Sequence, residues 1–191
     1  MTDKSALRRA LRQSRRDHVA SLPPVMRNLV FLRPPGAVVT ALPVGGCVAL
    51  YHAVGDEAPT RAYGKWLIEN GFTVALPWFA GRDAPMDFRV WTDPWDDADL
   101  VPGPWGGALQ PADDAAQLTP DVAFVPLVGF TAEGARLGQG GGHYDRWLAA
   151  HPQVVAMGLA WDCQLADDLP TEPHDIPLRA VITPTRLFGT L

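Results

Sequence analysis

Proline occupies 19 of the 191 positions, about twice the roughly 5% usual in globular chains. An interior proline removes a backbone donor and clashes with the turn before it, so each one bars a helix from continuing through it. Three proline-free stretches carry the candidate helices: residues 1–22, 60–76 and 127–151. In the first, Ala6, Leu7, Ala10 and Leu11 recur at helical spacing while Lys4, Arg8, Arg12 and Arg15 mark another face. That pattern predicts an amphipathic basic helix over about residues 3–19. In the second, a helix opens near Thr60 and stops at Asn70-Gly71; in the third, one runs from about Gly142 to Ala150.

Short apolar runs separate these helices. Residues 46–52, 72–76, 122–125, 154–159 and 178–182 read as buried strands, and strand–helix–strand units of this size imply parallel pairing. Residues 77–120 are dense in Pro, Trp, Asp and Gly and read mostly as loop, with one further strand at about 86–91. The expectation is a single α/β domain over residues 1–191: a doubly wound, mainly parallel, Rossmann-like sheet flanked by helices.

With 47% apolar and 19% charged residues the chain can bury a sizeable core. It has no apolar run of membrane-spanning length, and no apolar block follows the basic start. Two distant cysteines, Cys47 and Cys163, are too few for a disulfide framework or a zinc site of usual ligand count. A cytoplasmic protein without a membrane partner is expected, and a monomer. The net charge of −5 hides an asymmetry: residues 1–33 hold eight bases against two acids, a local +6, which leaves −11 for the remainder. Such an arm suits an anionic ligand. The acidic body and the lack of aromatics interleaved with the bases argue against nucleic acid as that ligand.

The segment Arg136-Leu137-Gly138-Gln139-Gly140-Gly141-Gly142-His143-Tyr144-Asp145 lies between a predicted strand and a predicted helix. Clustered glycines let backbone N–H groups approach a ligand, and the helix start behind them adds positive potential, so a phosphate is the natural guest. Arg136 offers a two-pronged clamp for such an anion, and Asp145 a metal ligand or a helix-turn acid. The run is neither a Walker A loop, since no Gly-Lys-Ser/Thr follows, nor the dinucleotide fingerprint, since His143 stands at the third glycine position. From composition alone a phosphate cradle and a plain connector are equally open.

The run Val125-Pro126-Leu127-Val128-Gly129-Phe130, Gly134 and then Arg136 to Arg146 resembles the signature of the 5-formyltetrahydrofolate cyclo-ligase (methenyltetrahydrofolate synthetase) family. Lys4-Ser5-Ala6-Leu7-Arg8, Glu57-Ala58-Pro59-Thr60, Val74 to Pro77, Phe88 to Trp91 and Glu172-Pro173-His174-Asp175 agree in order, so the resemblance covers nearly the whole chain. It implies Mg²⁺- and ATP-dependent cyclisation of 5-formyltetrahydrofolate to 5,10-methenyltetrahydrofolate through phosphorylation of the formyl oxygen, releasing ADP and phosphate. It also implies roles for residues. Lys4, Arg8 and the run Arg136, Leu137, Gly138, Gln139, Gly140, Gly141, Gly142, His143, Tyr144 would bind ATP. His52, Glu57, Gln139, Gly140, Gly141, Gly142 and His143 would border the folate, and Asp145 and Asp175 would hold Mg²⁺. Local sequence alone favours a solvated helix face for Lys4 and Arg8, and leaves Asp175 equally a turn residue and His52 nearly equally an ordinary strand-end histidine. Of the tryptophans in the loop-rich middle, Trp78, Trp91, Trp95 and Trp105, the last is the first candidate for stacking on a pterin.

Three departures stand out. The family commonly has two tyrosines where this chain has His143-Tyr144, Glu-Pro where it has Gln110-Pro111, and in some members an acid where it has Arg179. A contact of the first ring and carboxylate roles at the other two positions therefore do not carry over. The alternative is a catalytically inactive α/β homologue that binds nucleotide, folate or RNA.

Overall fold

The computed structural model describes residues 3–191. Helix α1 (Lys4–Ser21) starts where the Asp3 carboxylate accepts the N–H groups of Ser5 and Ala6 at 2.9 and 3.3 Å. It ends at Ser21, before Pro23 and Pro24. Two six-residue helices follow, α2 (Pro24–Leu29) and α3 (Gly36–Ala41). The sequence reading left this region without helices. Proline, however, forbids only a helix interior: Pro24 opens α2 and Pro35 immediately precedes α3, where a missing N–H is harmless.

Strand β1 (Cys47–Ala49), helix α4 (Arg61–Glu69) and strand β2 (Thr73–Trp78) form the first parallel unit, and β3 (Asp87–Val90) turns back along β2. Part of the stretch read as loop is a hairpin, β4 (Leu100–Pro102) with β5 (Leu109–Pro111). Then come β6 (Val122–Val125), a small ladder of β7 (Gly129–Phe130) with β8 (Arg136–Leu137), helix α5 (His143–Ala150) and β9 (Val155–Leu159). After a 3₁₀ turn at Asp162–Gln164, β10 (Ala180–Ile182) and β11 (Leu187–Gly189) close the chain.

The main sheet has the order β11-β10-β9-β6-β1-β2-β3, with five parallel strands inside and an antiparallel strand at each edge. This is the expected doubly wound fold. From β1 the chain first winds toward β2, then returns past β1 to β6 and winds the other way. The β1/β6 boundary is thus the switch point, where crevices open at the carboxyl ends of strands.

Each strand splits its side chains between two cores. Val48, Val74, Val122 and Phe124 pack with Tyr63 and Leu67 of α4 on one face. On the other, Ala75, Ala49, Ala123 and Ala156 stand side by side across β2, β1, β6 and β9. That low row makes room for Trp147 and Leu148 of α5 and for Phe88. Among the described residues no helix is long and apolar enough to cross a membrane.

Candidate active site

Two cavities meet at the switch point. The first, of about 250 Å³, is bounded by Lys4 and Arg8 of α1, the loop from Arg136 to Asp145, and Glu172, His174 and Asp175. The second, of about 550 Å³, is lined by Tyr51 and His52 beyond β1, by Glu57, by the β4–β5 segment with Trp105, and by Arg15 of α1. Phe79, Pro126, Gln139 and Tyr144 border both.

Helix α1 lies over the glycine loop, and its basic stripe is what engages the loop. Arg8 Nε donates to the Gly138 carbonyl at 2.9 Å, and Arg12 Nη2 donates to the Gln139 side chain and backbone oxygens at 2.6 and 3.2 Å. Lys4 Nζ lies 2.6 Å from Glu172 and 3.1 Å from Asp175. Burial opposes the Lys4 charge, yet the hydrogen bonds to Glu172 and Asp175 hold its ammonium above the ordinary value. Burial likewise works against the Asp175 carboxylate, which the Glu172 N–H and Lys4 nevertheless keep below the usual range. Gly140 at φ +111° and Gly142 at φ +62° carry the loop into the start of α5 through conformations that side chains rarely adopt. A side chain at Gly140 would also meet the Arg8 guanidinium at 3.6 Å.

The pair Arg136–Asp145 differs from the sequence expectation. Arg136 is not a free clamp: its side chain is almost fully buried and its Nη2 donates to Asp145 Oδ1. The same oxygen accepts the Ile176 N–H at 3.2 Å, tying the loop to the segment that carries Asp175. Leu137 also borders the pocket, but it is 2% exposed and belongs to the core. Asp145 Oδ2 and Asp175 Oδ1 accept no hydrogen bond from the described residues. Each carboxylate therefore keeps one oxygen for a hard cation, a fit for Mg²⁺, which takes one or two carboxylates together with phosphate and water. Glu172, His174 and Asp175 also present ligand atoms within 4.8 Å of one another. Reading the sequence singled out only Asp175 of these three.

In the larger cleft Glu57 accepts from Gln139 Nε2 and from the Val54 N–H, both at 3.0 Å, and so reaches the glycine loop. His52 Nδ1 accepts the Leu109 N–H at 3.3 Å, and burial, followed by the nearby Arg61 charge, lowers its pKa. Gln139 serves both cavities, whereas Gly140, Gly141, Gly142 and His143 line the first and not the second. The His143 ring completes an aromatic trio with Phe79 and Trp105, with centroids 4.6 to 5.3 Å apart. Burial, then the Arg146 charge, lowers its pKa. The Tyr144 phenol is buried without a hydrogen-bond partner among the described residues, and burial, then Glu57, raises its pKa.

Of the four tryptophans considered, Trp105 alone lines the cleft. Trp91 is core, Trp78 lies under the Arg89 guanidinium at 3.8 Å, and Trp95 is outside. Reading the sequence missed Phe79, Tyr51 and Arg15 as wall residues, since no local motif marks them. The departure at Gln110 gains a concrete place: its Nε2 donates to Phe79 O at 3.0 Å while its Oε1 accepts Phe79 N–H at 3.2 Å, fixing Phe79 at the shared wall. Arg179 lies away from both cavities and donates to the Thr190 carbonyl.

Comparison with known proteins identifies the family and the fold. The family model described as "5-formyltetrahydrofolate cyclo-ligase family" matches residues 1–184. A 5-formyltetrahydrofolate cyclo-ligase of Mycolicibacterium smegmatis is 34% identical over 96% of this chain and 94% of its own. One from Escherichia coli strain K12 is 50% identical over 70 residues, 36% of this chain and 38% of that one. The NMR structure of Aquifex aeolicus 5,10-methenyltetrahydrofolate synthetase superposes with a TM-score of 0.76 at 25% identity, covering 97% of this chain and 92% of that one. A 5,10-methenyltetrahydrofolate synthetase from Mycoplasma pneumoniae shares the fold, with a TM-score of 0.68 at 23% identity over 95% and 98% of the two chains.

Proposed function

This chain belongs to the 5-formyltetrahydrofolate cyclo-ligase family, and from that premise we propose that it uses ATP to close 5-formyltetrahydrofolate into 5,10-methenyltetrahydrofolate, releasing ADP and phosphate. The shared wall carries the reading: Phe79, Pro126, Gln139 and Tyr144 border both the basic glycine-lined pocket and the aromatic cleft. A triphosphate in the first and a flat heterocycle in the second would meet across that wall, as a transfer between two bound substrates requires.

A formamide carbon is a weak electrophile. In the proposed course the formyl oxygen attacks the γ-phosphorus, and the bond to the bridging oxygen breaks as ADP leaves. The neighbouring folate nitrogen then attacks the activated carbon and loses its proton, and the C–O bond breaks to release phosphate. Little covalent help from the protein is needed, so catalysis rests on position and on charge stabilisation.

Lys4, Arg8 and the loop N–H groups from Gly138 to Tyr144 hold the phosphates, and Lys4 trades its contacts with Glu172 and Asp175 for the incoming anion. Asp145 and Asp175 hold Mg²⁺, which when bound offsets phosphate charge. Arg136 acts through Asp145, orienting it. Glu57, His52 and Trp105 hold the folate, with the neutral His52 fixed by the Leu109 N–H. A reducing cytoplasmic setting suits the two free thiols, Cys47 and Cys163.

Incubation with Mg-ATP and 5-formyltetrahydrofolate should raise the near-ultraviolet absorbance of the methenyl product. Bound nucleotide without any rise would overturn the assignment.

A further inference from the structure

We propose that Arg15 is a folate-binding residue, its guanidinium donating to the oxo group of the pteridine ring, so that the basic face of α1 serves both substrates. The inference rests on the function proposed above.

Arg15 is 8% exposed and lines the larger cleft but not the phosphate pocket. Its Nη1 donates to the Leu127 carbonyl at 3.3 Å, and among the described residues its Nε has no partner and no carboxylate pairs with it. A buried cation left this poorly compensated is costly to the folded protein. It is not needed to hold Leu127 either, because the buried Gln164 donates Nε2 to the same carbonyl at the shorter distance of 2.8 Å. The arrangement has the form of a donor reserved for a ligand.

Helix geometry explains how one element reaches both cavities. Lys4 and Arg8 line the first, Arg12 grips Gln139 on the shared wall, and Arg15 lies on the second. Eleven residues at about 1.5 Å each separate Lys4 from Arg15 by roughly 16 Å along the axis. Arg15 also lines this cleft together with Tyr51, whose phenol is pushed up by burial first and then by Glu57 and Tyr144, with the Arg15 charge opposing them.

Four kinds of acceptor oxygen occur in 5-formyltetrahydrofolate: the formyl oxygen, the ring oxo group, the benzoyl amide carbonyl and the glutamate carboxylates. The formyl oxygen must face the shared wall to reach ATP, and Arg15 does not border the phosphate side. The benzoyl amide and the glutamate carboxylates belong to the tail that leads to the open mouth, whereas Arg15 is buried. The ring oxo group remains, and Glu57 in the same cleft accepts from the donor groups on the ring, giving the heterocycle one partner of each kind.

The test compares Arg15→Met, Arg15→Lys and, as a control on the same helix, the exposed Arg16→Met. Readouts are the KM for each substrate, folate affinity by tryptophan-fluorescence titration, and ligand-free melting. Arg15→Met should weaken folate roughly tenfold or more, the loss of one charge-assisted bond, with the KM for ATP unchanged. Its ligand-free melting temperature should not fall, because an uncompensated buried charge has been removed. Arg15→Lys should recover part of the affinity, and Arg16→Met should change nothing. A folate analogue with an amino group in place of the ring oxo should bind the parent protein more weakly than the oxo compound, and Arg15→Met should erase that preference. Unchanged folate affinity in Arg15→Met, a preference that persists, or equal loss for both substrates with a lower melting temperature would each refute the proposal. A parent protein that binds folate but never turns it over would instead refute the reaction assigned above, and the titration would still judge Arg15.

Discussion

Replacing Asp145 with alanine separates what this carboxylate does for the fold from what it does for chemistry. Its Oδ1 pairs with Arg136, whose side chain is 4% exposed, and accepts the Ile176 N–H. Asp145→Ala strands a buried guanidinium and an amide, and removing one partner of a buried pair costs about 3–5 kcal/mol. For a chain of this size that corresponds to a fall of roughly 6–20 °C in Tm. Asp145→Asn keeps an oxygen for both donors and should lose clearly less stability, while the missing charge still removes ATP-dependent turnover. The Arg136→Met/Asp145→Leu double variant leaves no unpaired charge and should recover much of the stability, but no activity. Thermal melts by circular dichroism with urea titration provide the stabilities, and the absorbance assay provides turnover. An Asp145→Ala protein within about 1 kcal/mol of the parent, well under the expected cost, would show that the pair is not the structural tie argued here. An Asp145→Asn protein with full turnover would remove the carboxylate from the reaction.

The alanine row supports a packing prediction: Ala123→Leu, at a position with 0% exposure, should cost about 1–3 kcal/mol through overpacking against its neighbours, read by urea denaturation. The Cys47 thiol is pushed up to about 12, by burial first and the Asp121 charge second, so its thiolate is scarce near neutrality. Native Cys47 should resist iodoacetamide at pH 8 and react on unfolding, with labelling located by peptide mass spectrometry. Burial lowers the pKa of His52 below its unfolded value of about 6.5. In that window the unfolded chain binds the extra proton, so stability should decline as pH falls from about 6.5 toward the folded value and then level off. His52→Gln should flatten that part of the pH–stability curve, and an unchanged slope would contradict the assignment.

Much of the scaffold was legible before any coordinates. The central strands and the helices at 4–21, 61–69 and 143–150 follow from apolar period, caps and proline spacing, because those signals act within a turn or a strand. The boundaries moved by a few residues, as with β1, which keeps three of the seven residues expected. The short helices after Pro23 and Pro35 and the hairpin at 100–111 escaped, because elements this brief are held by tertiary contacts more than by local preference.

The sequence by itself determined the doubly wound alternation, the glycine run and the cationic stripe, since each is written in neighbouring residues. Only the tertiary structure decided that Arg136 is spent on Asp145, that Gln110 fastens Phe79, and that Arg15 reaches a different cavity from Lys4 and Arg8. Those pairings join positions from 9 to more than 100 residues apart. The partner of a long side chain is set by which strands the sheet brings together and by what is left unpaired when water is excluded, and neither is a property of the local sequence.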